Sequence, residues 1–217
     1  MAQPGSYKTL RARGSEEFII NKSRFIGYGA PCETEEEALA FLREIREKHK
    51  DASHNCYAYI IGLNAGIMRY SDDGEPGGTA GMPIIEVMKA RGVVNCVVVV
   101  TRYFGGVLLG AGGLVRAYAQ GSKAALEAAG VAVMERSARQ LVEVDYSTWQ
   151  RLEHYLRTAP CQTLETAFTD RVLATLMMKK TDEQRVLDEI TRLTDARAEF
   201  LPDGELYYPW PETAPSS

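Results

Sequence analysis

Three carboxylates crowd into the segment SDDGEPGGTAG, residues 71–81: Asp72, Asp73 and Glu75. His54 opens another segment, HNCYAYIIGL, residues 54–63. A carboxylate and an imidazole that share a cleft can pass protons near neutral pH, because imidazole titrates there. His54, Asp73 and Glu75 are therefore the acid–base candidates. Carboxylates on a flexible loop can also hold Mg²⁺ or Ca²⁺. The spacing departs from an EF-hand loop, so no metal is expected. Asp73 and Glu75 are expected instead to pair with Arg102, Arg116 or Lys22, and Thr79 to cap the helix after Pro83 or a short turn before it. Cys56 lies two residues beyond His54 on the same strand face. That spacing is too long for a direct nucleophile pair, so Cys56 reads as core.

Binding chemistry is concentrated in TRYFGGVLLGAGGLVRAY, residues 101–118. Gly105, Gly106, Gly110, Gly112 and Gly113 let a ligand approach the main chain. A helix start near Leu114 would offer free N–H groups to an anion. Arg102 and Arg116 flank the glycines and can pair with phosphate or carboxylate. Lys22 and Arg24 extend the same set. Tyr103 and Phe104 are candidates for exposed stacking surfaces. The spacing fits neither a P-loop nor G-x-G-x-x-G, and no cofactor is expected.

The elements that must position these residues follow from periodicity and turn signals. A first segment, 1–16, is expected to be frayed. A strand or strand pair over 18–30 is broken by Asn21-Lys22-Ser23-Arg24. Thr34 and Glu37 form a capping box before a helix whose core face is Ala38, Phe41, Leu42 and Ile45. A strand over 54–63 turns at Asn64-Ala65-Gly66 into a partner over 67–70. Pro83 sits in the first turn of a helix that Gly92 ends. The valine run 93–100 shows no clear alternation, which implies a strand covered on both faces.

Past Gly130 the predicted order is β-α-β-β-α-β, the ferredoxin-like arrangement. Capping boxes are expected at Ser147/Gln150 and Thr181/Gln184, and a last short strand over 198–201. The chain should carry two domains, 1–134 and 135–217, the second ending in a mobile Pro-rich tail from Tyr208.

Composition bounds the function. The formal net charge is −4, which argues against a general polyanion binder but leaves room for a local basic patch. No apolar run reaches the roughly 18 residues of a membrane span, and the first residues lack the apolar stretch of a signal peptide. A cytoplasmic location is expected. Four cysteines and three histidines show no metal-ligand spacing.

KSRFI (22–26), SHNCYAY (53–59), SDDGEPGGTAGMPI (71–84) and TRYFGGVLLGAGGLVRAY (101–118) together resemble the YigZ/IMPACT family. The resemblance implies an α+β chain. Its first domain would have the ribosomal-protein-S-five-domain-two-like left-handed βαβ fold, shared with GHMP kinases. Its second would be a ferredoxin-like βαββαβ domain akin to one in elongation factor G. Leu108 stands where some members carry Lys. The resemblance also implies a link to the control of translation, with RNA, the ribosome or a translation-related protein as partner and no membrane. The oligomeric state is open. The chain thus reads as a nucleic-acid- or ribosome-binding regulator, more a binder than an enzyme. The alternative is an enzyme acting on a small phosphorylated or carboxylated ligand in the same cleft.

Overall fold

The computed structural model describes residues 5–210. Its elements are β1 (Ser6–Leu10), β2 (Gly14–Ile20), β3 (Ser23–Pro31), α1 (Glu35–Lys48), β4 (His54–Ile61), β5 (Ile67–Ser71), α2 (Gly81–Arg91), β6 (Cys96–Tyr103), α3 (Gly110–Ala129), β7 (Val131–Val144), α4 (Tyr146–Leu156), β8 (Cys161–Phe168), β9 (Val172–Lys179), α5 (Glu183–Leu193) and β10 (Glu199–Trp210). The protein is α+β with two domains. Compact packing separates residues up to Val133, joined by Pro209 and Trp210, from Met134–Tyr208.

The first unit is built on β6. Its sheet runs β2-β3-β6-β4-β5, and β6 is antiparallel to both β3 and β4. The strands β3 and β4 are therefore parallel to each other with β6 between them, which makes β3-α1-β4 a split βαβ unit. Cys96, Val98 and Val100 pack with Ile84 and Met88 of α2 and with Tyr118 and Leu126 of α3. Val97 and Val99 point the other way, to Phe41, Leu42 and Ile45 of α1. The valine run is covered on both faces, as its lack of alternation predicts. Each such valine adds about 1.5 kcal/mol or more of burial, so β6 is the strand that the sheet can least afford to lose.

Two glycines set how close α3 lies. A Cβ added to Gly27 of β3 would meet Gly121 O of α3 at 2.2 Å, and one added to Gly121 would meet Val100 Cγ1 at 2.8 Å. Backbone rests on backbone at Gly27, while Gly121 lies on the side chain of Val100.

The N-terminal segment is ordered where fraying was expected. Ser6–Leu10 and Gly14–Ile20 are strands, and Thr9 Oγ1 donates to Asn95 O at 2.9 Å. Residues 1–4 lie outside the described residues. The hairpin β2–β3 turns through Asn21 (φ 45°) and Lys22 (φ 66°), the two-residue geometry that suits strand twist. Thr34 caps α1, accepting from Glu37 N at 3.2 Å. The Glu37 carboxylate reaches one residue further back than a capping box requires, to Glu33 N.

The second unit has sheet order β8-β9-β7, with β10 on the other edge of β7. With α4 and α5 this is the ferredoxin-like arrangement. Val142, Leu152, Leu176, Val186 and Ile190 form its core. Its caps differ from expectation. Asp145, not Ser147, caps α4 and accepts from Thr148 N at 2.8 Å. Ser147 is itself a donor to that carboxylate, because an anion is the better acceptor at a helix start. Asp182 rather than Thr181 precedes α5. The last strand reaches Trp210, so the expected mobile tail is a strand over 208–210, with the Tyr208 hydroxyl on Gln162 Oε1 at 2.8 Å. The rest of that tail lies outside the described residues. No helix among the described residues is long and apolar enough to cross a membrane.

Candidate functional site

The acidic segment is held by its own backbone. Asp72 accepts from Gly78 N (2.9 Å), Ala80 N (3.0 Å) and Gly81 N (2.8 Å). It thereby caps α2 from nine residues upstream. Thr79, the expected cap, donates instead to Pro76 O. Burial pushes the Asp72 carboxyl up, but the N–H groups of Gly78, Gly81 and Ala80 outweigh it and hold the acid below its ordinary range.

Asp73 faces away from the cleft. Its carboxylate takes Arg46 Nη2 and Asn55 N, each at 2.7 Å. Its carbonyl accepts from Nδ1 of His54 at 2.9 Å. A carbonyl only accepts, so Nδ1 carries the hydrogen and Nε2 of neutral His54 keeps its lone pair. Asp73 thus orients the histidine and has no free carboxylate oxygen for acid–base work.

Glu75 is the hub. Its Oε1 accepts from Arg102 Nη1 at 2.7 Å and from the Tyr118 hydroxyl at 2.6 Å. Nε2 of His54 stands 3.8 Å from the same oxygen. Arg102 is only 5% exposed. Its Nη2 donates to Ser23 Oγ, and its guanidinium lies between the rings of Phe25 (5.5 Å) and Phe104 (5.4 Å). Two aromatic faces and one carboxylate compensate for taking this cation out of water. Burial raises the Tyr118 phenol, so it stays protonated and donates. Burial likewise pushes the Cys56 thiol up to about 12. The thiol donates to Asp72 O at 2.9 Å, which fits a core role. All four cysteines are free.

His54, Glu75 and Arg102 line a cleft of about 410 Å³ with Pro76, Phe104, Leu108, Leu109, Gly110, Ala111 and Leu114. The structure corrects the extent of the glycine-rich loop here. It spans only 104–109, and α3 begins at Gly110. Gly110, Gly112 and Gly113 are in the first helical turn despite their poor propensity. The twenty-residue helix tolerates them because its long buried face, from Leu114 to Ala129, supplies the stabilisation. No side chain among the described residues caps that turn.

The other expected binding residues are spread around this cleft. Gly105 is a packing glycine, since a Cβ there would meet Lys22 O at 2.0 Å. Gly106 has φ 81° and open space around it. Lys22 and Arg116 are exposed. Arg24 forms a two-pronged pair with Glu17 at 2.8 Å and covers the Tyr103 ring at 5.2 Å. Tyr103 belongs to a separate chain of hydrogen bonds. Tyr28 OH meets His49 Nε2 at 2.6 Å, His49 Nδ1 meets Tyr103 OH at 2.8 Å, and Tyr103 OH donates to Asp51. No group of three or more potential ligands among the described residues is placed to hold a metal.

Arg46, Asn55, Ser23 and the capping role of Asp72 carried no signal in the sequence. Tyr118 did, since it falls on the buried face of α3 with Leu114, Gly121 and Ala125.

Residues 21–126 match the Impact N-terminal domain, and residues 142–197 match a domain of unknown function (DUF1949). The IMPACT family member YvyE of Bacillus subtilis (strain 168) is 38% identical over 205 residues, covering 94% of this chain and 93% of that protein. This chain belongs to the IMPACT family. The YigZ member of Escherichia coli (strain K12) is 46% identical over 109 residues, 49% of this chain and 53% of that relative. Protein IMPACT of Mus musculus is 36% identical over 94 residues, 41% of this chain and 29% of that protein. A solved structure described as the crystal structure of an hypothetical protein aligns with a TM-score of 0.59 at 29% identity, covering 91% of this IMPACT family member and 97% of that chain.

Proposed function

We propose that this IMPACT family member is a translation-linked binding protein whose first unit takes the phosphate backbone of RNA, free or on the ribosome. The observation that carries this is the seating of the Lys22 turn on Gly105, beside an α3 that starts with exposed Gly110, Ala111 and Gly112 and no side-chain cap. Uncapped first-turn N–H groups favour an anion. Arg24 and Arg102 are already matched by Glu17 and Glu75, so Lys22 and Arg116 carry the charge. The link to translation rests on the family resemblance.

Two phosphate contacts give a shallow salt dependence, with log K falling at about −1.4 per log unit of salt on a single strand. Anisotropy of a labelled single-stranded RNA measures it in a salt series on either side of about 0.1 M, where the Debye length is about 10 Å. Lys22→Ala with Arg116→Ala should flatten the slope. Salt-independent binding, or none at low salt, would sink the reading.

A second reading, an enzyme acting on a small phosphorylated or carboxylated ligand, is favoured by the oriented His54 with its Nε2 directed toward Glu75. It predicts that mass spectrometry of native protein finds a retained small anion that His54→Ala releases. Identical retention by both proteins would count against it.

A further inference from the structure

The cleft wall divides by chemistry. Phe104, Leu108, Leu109 and Pro76 are apolar, and of the polar side chains lining the cleft Glu75 and Arg102 are buried while His54 is half-buried. Arg102 covers one face of the Phe104 ring, yet the residue remains 48% exposed, and Leu108 beside it is 85% exposed. The imidazole gives its Nδ1 hydrogen to the Asp73 carbonyl, so the neutral ring presents Nε2 as an acceptor. Glu75, its neighbour, is already neutralised by Arg102. Beside His54 no unmatched cation is left to attract an anion, so a phosphate falls to the uncapped Gly110–Gly112 N–H groups and a neutral N–H donor fits His54. A volume of about 410 Å³ falls within the roughly 300–1,000 Å³ of small-ligand sites.

We propose that this cleft takes one unstacked nucleobase, stacked on Phe104 and donating an edge N–H to Nε2 of His54. A base has a flat π face and an edge that carries N–H groups, and single-stranded RNA is recognised through both. An aliphatic side chain would leave Nε2 unmet. A free phosphate would leave Phe104 and Leu108 unmet. The pocket rests on the RNA-binding reading only for the source of the base.

The test pairs two probes. One is a labelled 12-nucleotide single-stranded RNA followed by anisotropy at low salt. The other is free adenosine and uridine followed by saturation-transfer NMR. The proteins are wild type, Phe104→Ala, Phe104→Leu and His54→Ala, each checked for an unchanged fold by circular dichroism. Phe104→Leu keeps apolar cover over Arg102 but lacks a π face. Loss of one stacked base should weaken the oligonucleotide about tenfold in both Phe104 variants, with the salt slope unchanged. Nucleoside transfer should disappear in those variants and weaken in His54→Ala. Equal oligonucleotide binding by wild type and Phe104→Leu, with no transfer to nucleosides, overturns the base pocket and leaves the backbone reading standing. Nucleoside transfer that needs Phe104, with no oligonucleotide bound, supports the pocket and sinks the RNA reading. No binding of either probe overturns both.

Discussion

His54 and Arg102 stand directly opposite each other across β4 and β6, and both reach Oε1 of Glu75, at 3.8 and 2.7 Å. Cross-strand partners on one face are the closest neighbours a sheet offers. One carboxylate from the acidic loop therefore holds the end of β6 through Arg102, with the His54 imidazole at the end of β4 alongside.

Breaking that ion pair from one side leaves a buried charge. Arg102→Met should lower stability by about 3–5 kcal/mol in urea unfolding, because Glu75 then has no cation. Adding Glu75→Leu should recover most of the loss. A single variant that unfolds at the wild-type midpoint would show that the pair is not closed in solution.

Asp72 caps α2 across sequence, so Asp72→Ala should cost about 2 kcal/mol or more, at the upper end of capping losses. Its carboxyl is held below the ordinary value of 3.8. The stabilisation is present in full above that ordinary value and is lost as pH falls through the folded value. Urea midpoints of wild type and variant should therefore converge in strong acid and stay apart at pH 7.

His49 works in the same direction, through a base rather than an acid. Burial, then Lys48 and Arg24, lower it from its ordinary 6.5, while Asp51 and Glu17 oppose them. Below about pH 6.5 the unfolded chain binds the proton that the folded chain refuses, so stability falls with pH through that window. His49→Gln, which cannot titrate, should unfold with a smaller change in urea midpoint between pH 7.5 and 5.5. An unchanged pH response would place the titrating group elsewhere.

Neighbouring glycines should behave differently. Gly105→Ala drives a Cβ to 2.0 Å from Lys22 O, a backbone clash expected to cost at least about 3 kcal/mol. Gly106→Ala meets open space and only the strain of φ 81°, about 1–2 kcal/mol. Thermal melts of the two should rank in that order.

Periodicity carried most of the fold. The core face of α1, the two-sided burial of β6 and the βαββαβ order each follow from spacing that a single chain displays. The placement of caps did not follow, because Asp72 reaches forward and Asp145 outcompetes Ser147, and both depend on a folded backbone presenting N–H groups. The site was legible in part. His54, Glu75 and Arg102 do meet. Asp73 turned behind the histidine through a positive φ of 45°, which nothing in a run of two aspartates signals. The helix start was misplaced by four residues, since glycine propensity is a local quantity and the buried face of α3 is not.

The contact of Gly27 with Gly121 has a consequence for how this cleft can change over time. At that contact main chain meets main chain, but Gly121 also rests on the Val100 side chain, so the separation follows the size of residue 100. The gauge is therefore set by Val100, on whose methyl groups Gly121 rests, and a residue with a Cβ at 27 or 121 would force helix and sheet apart.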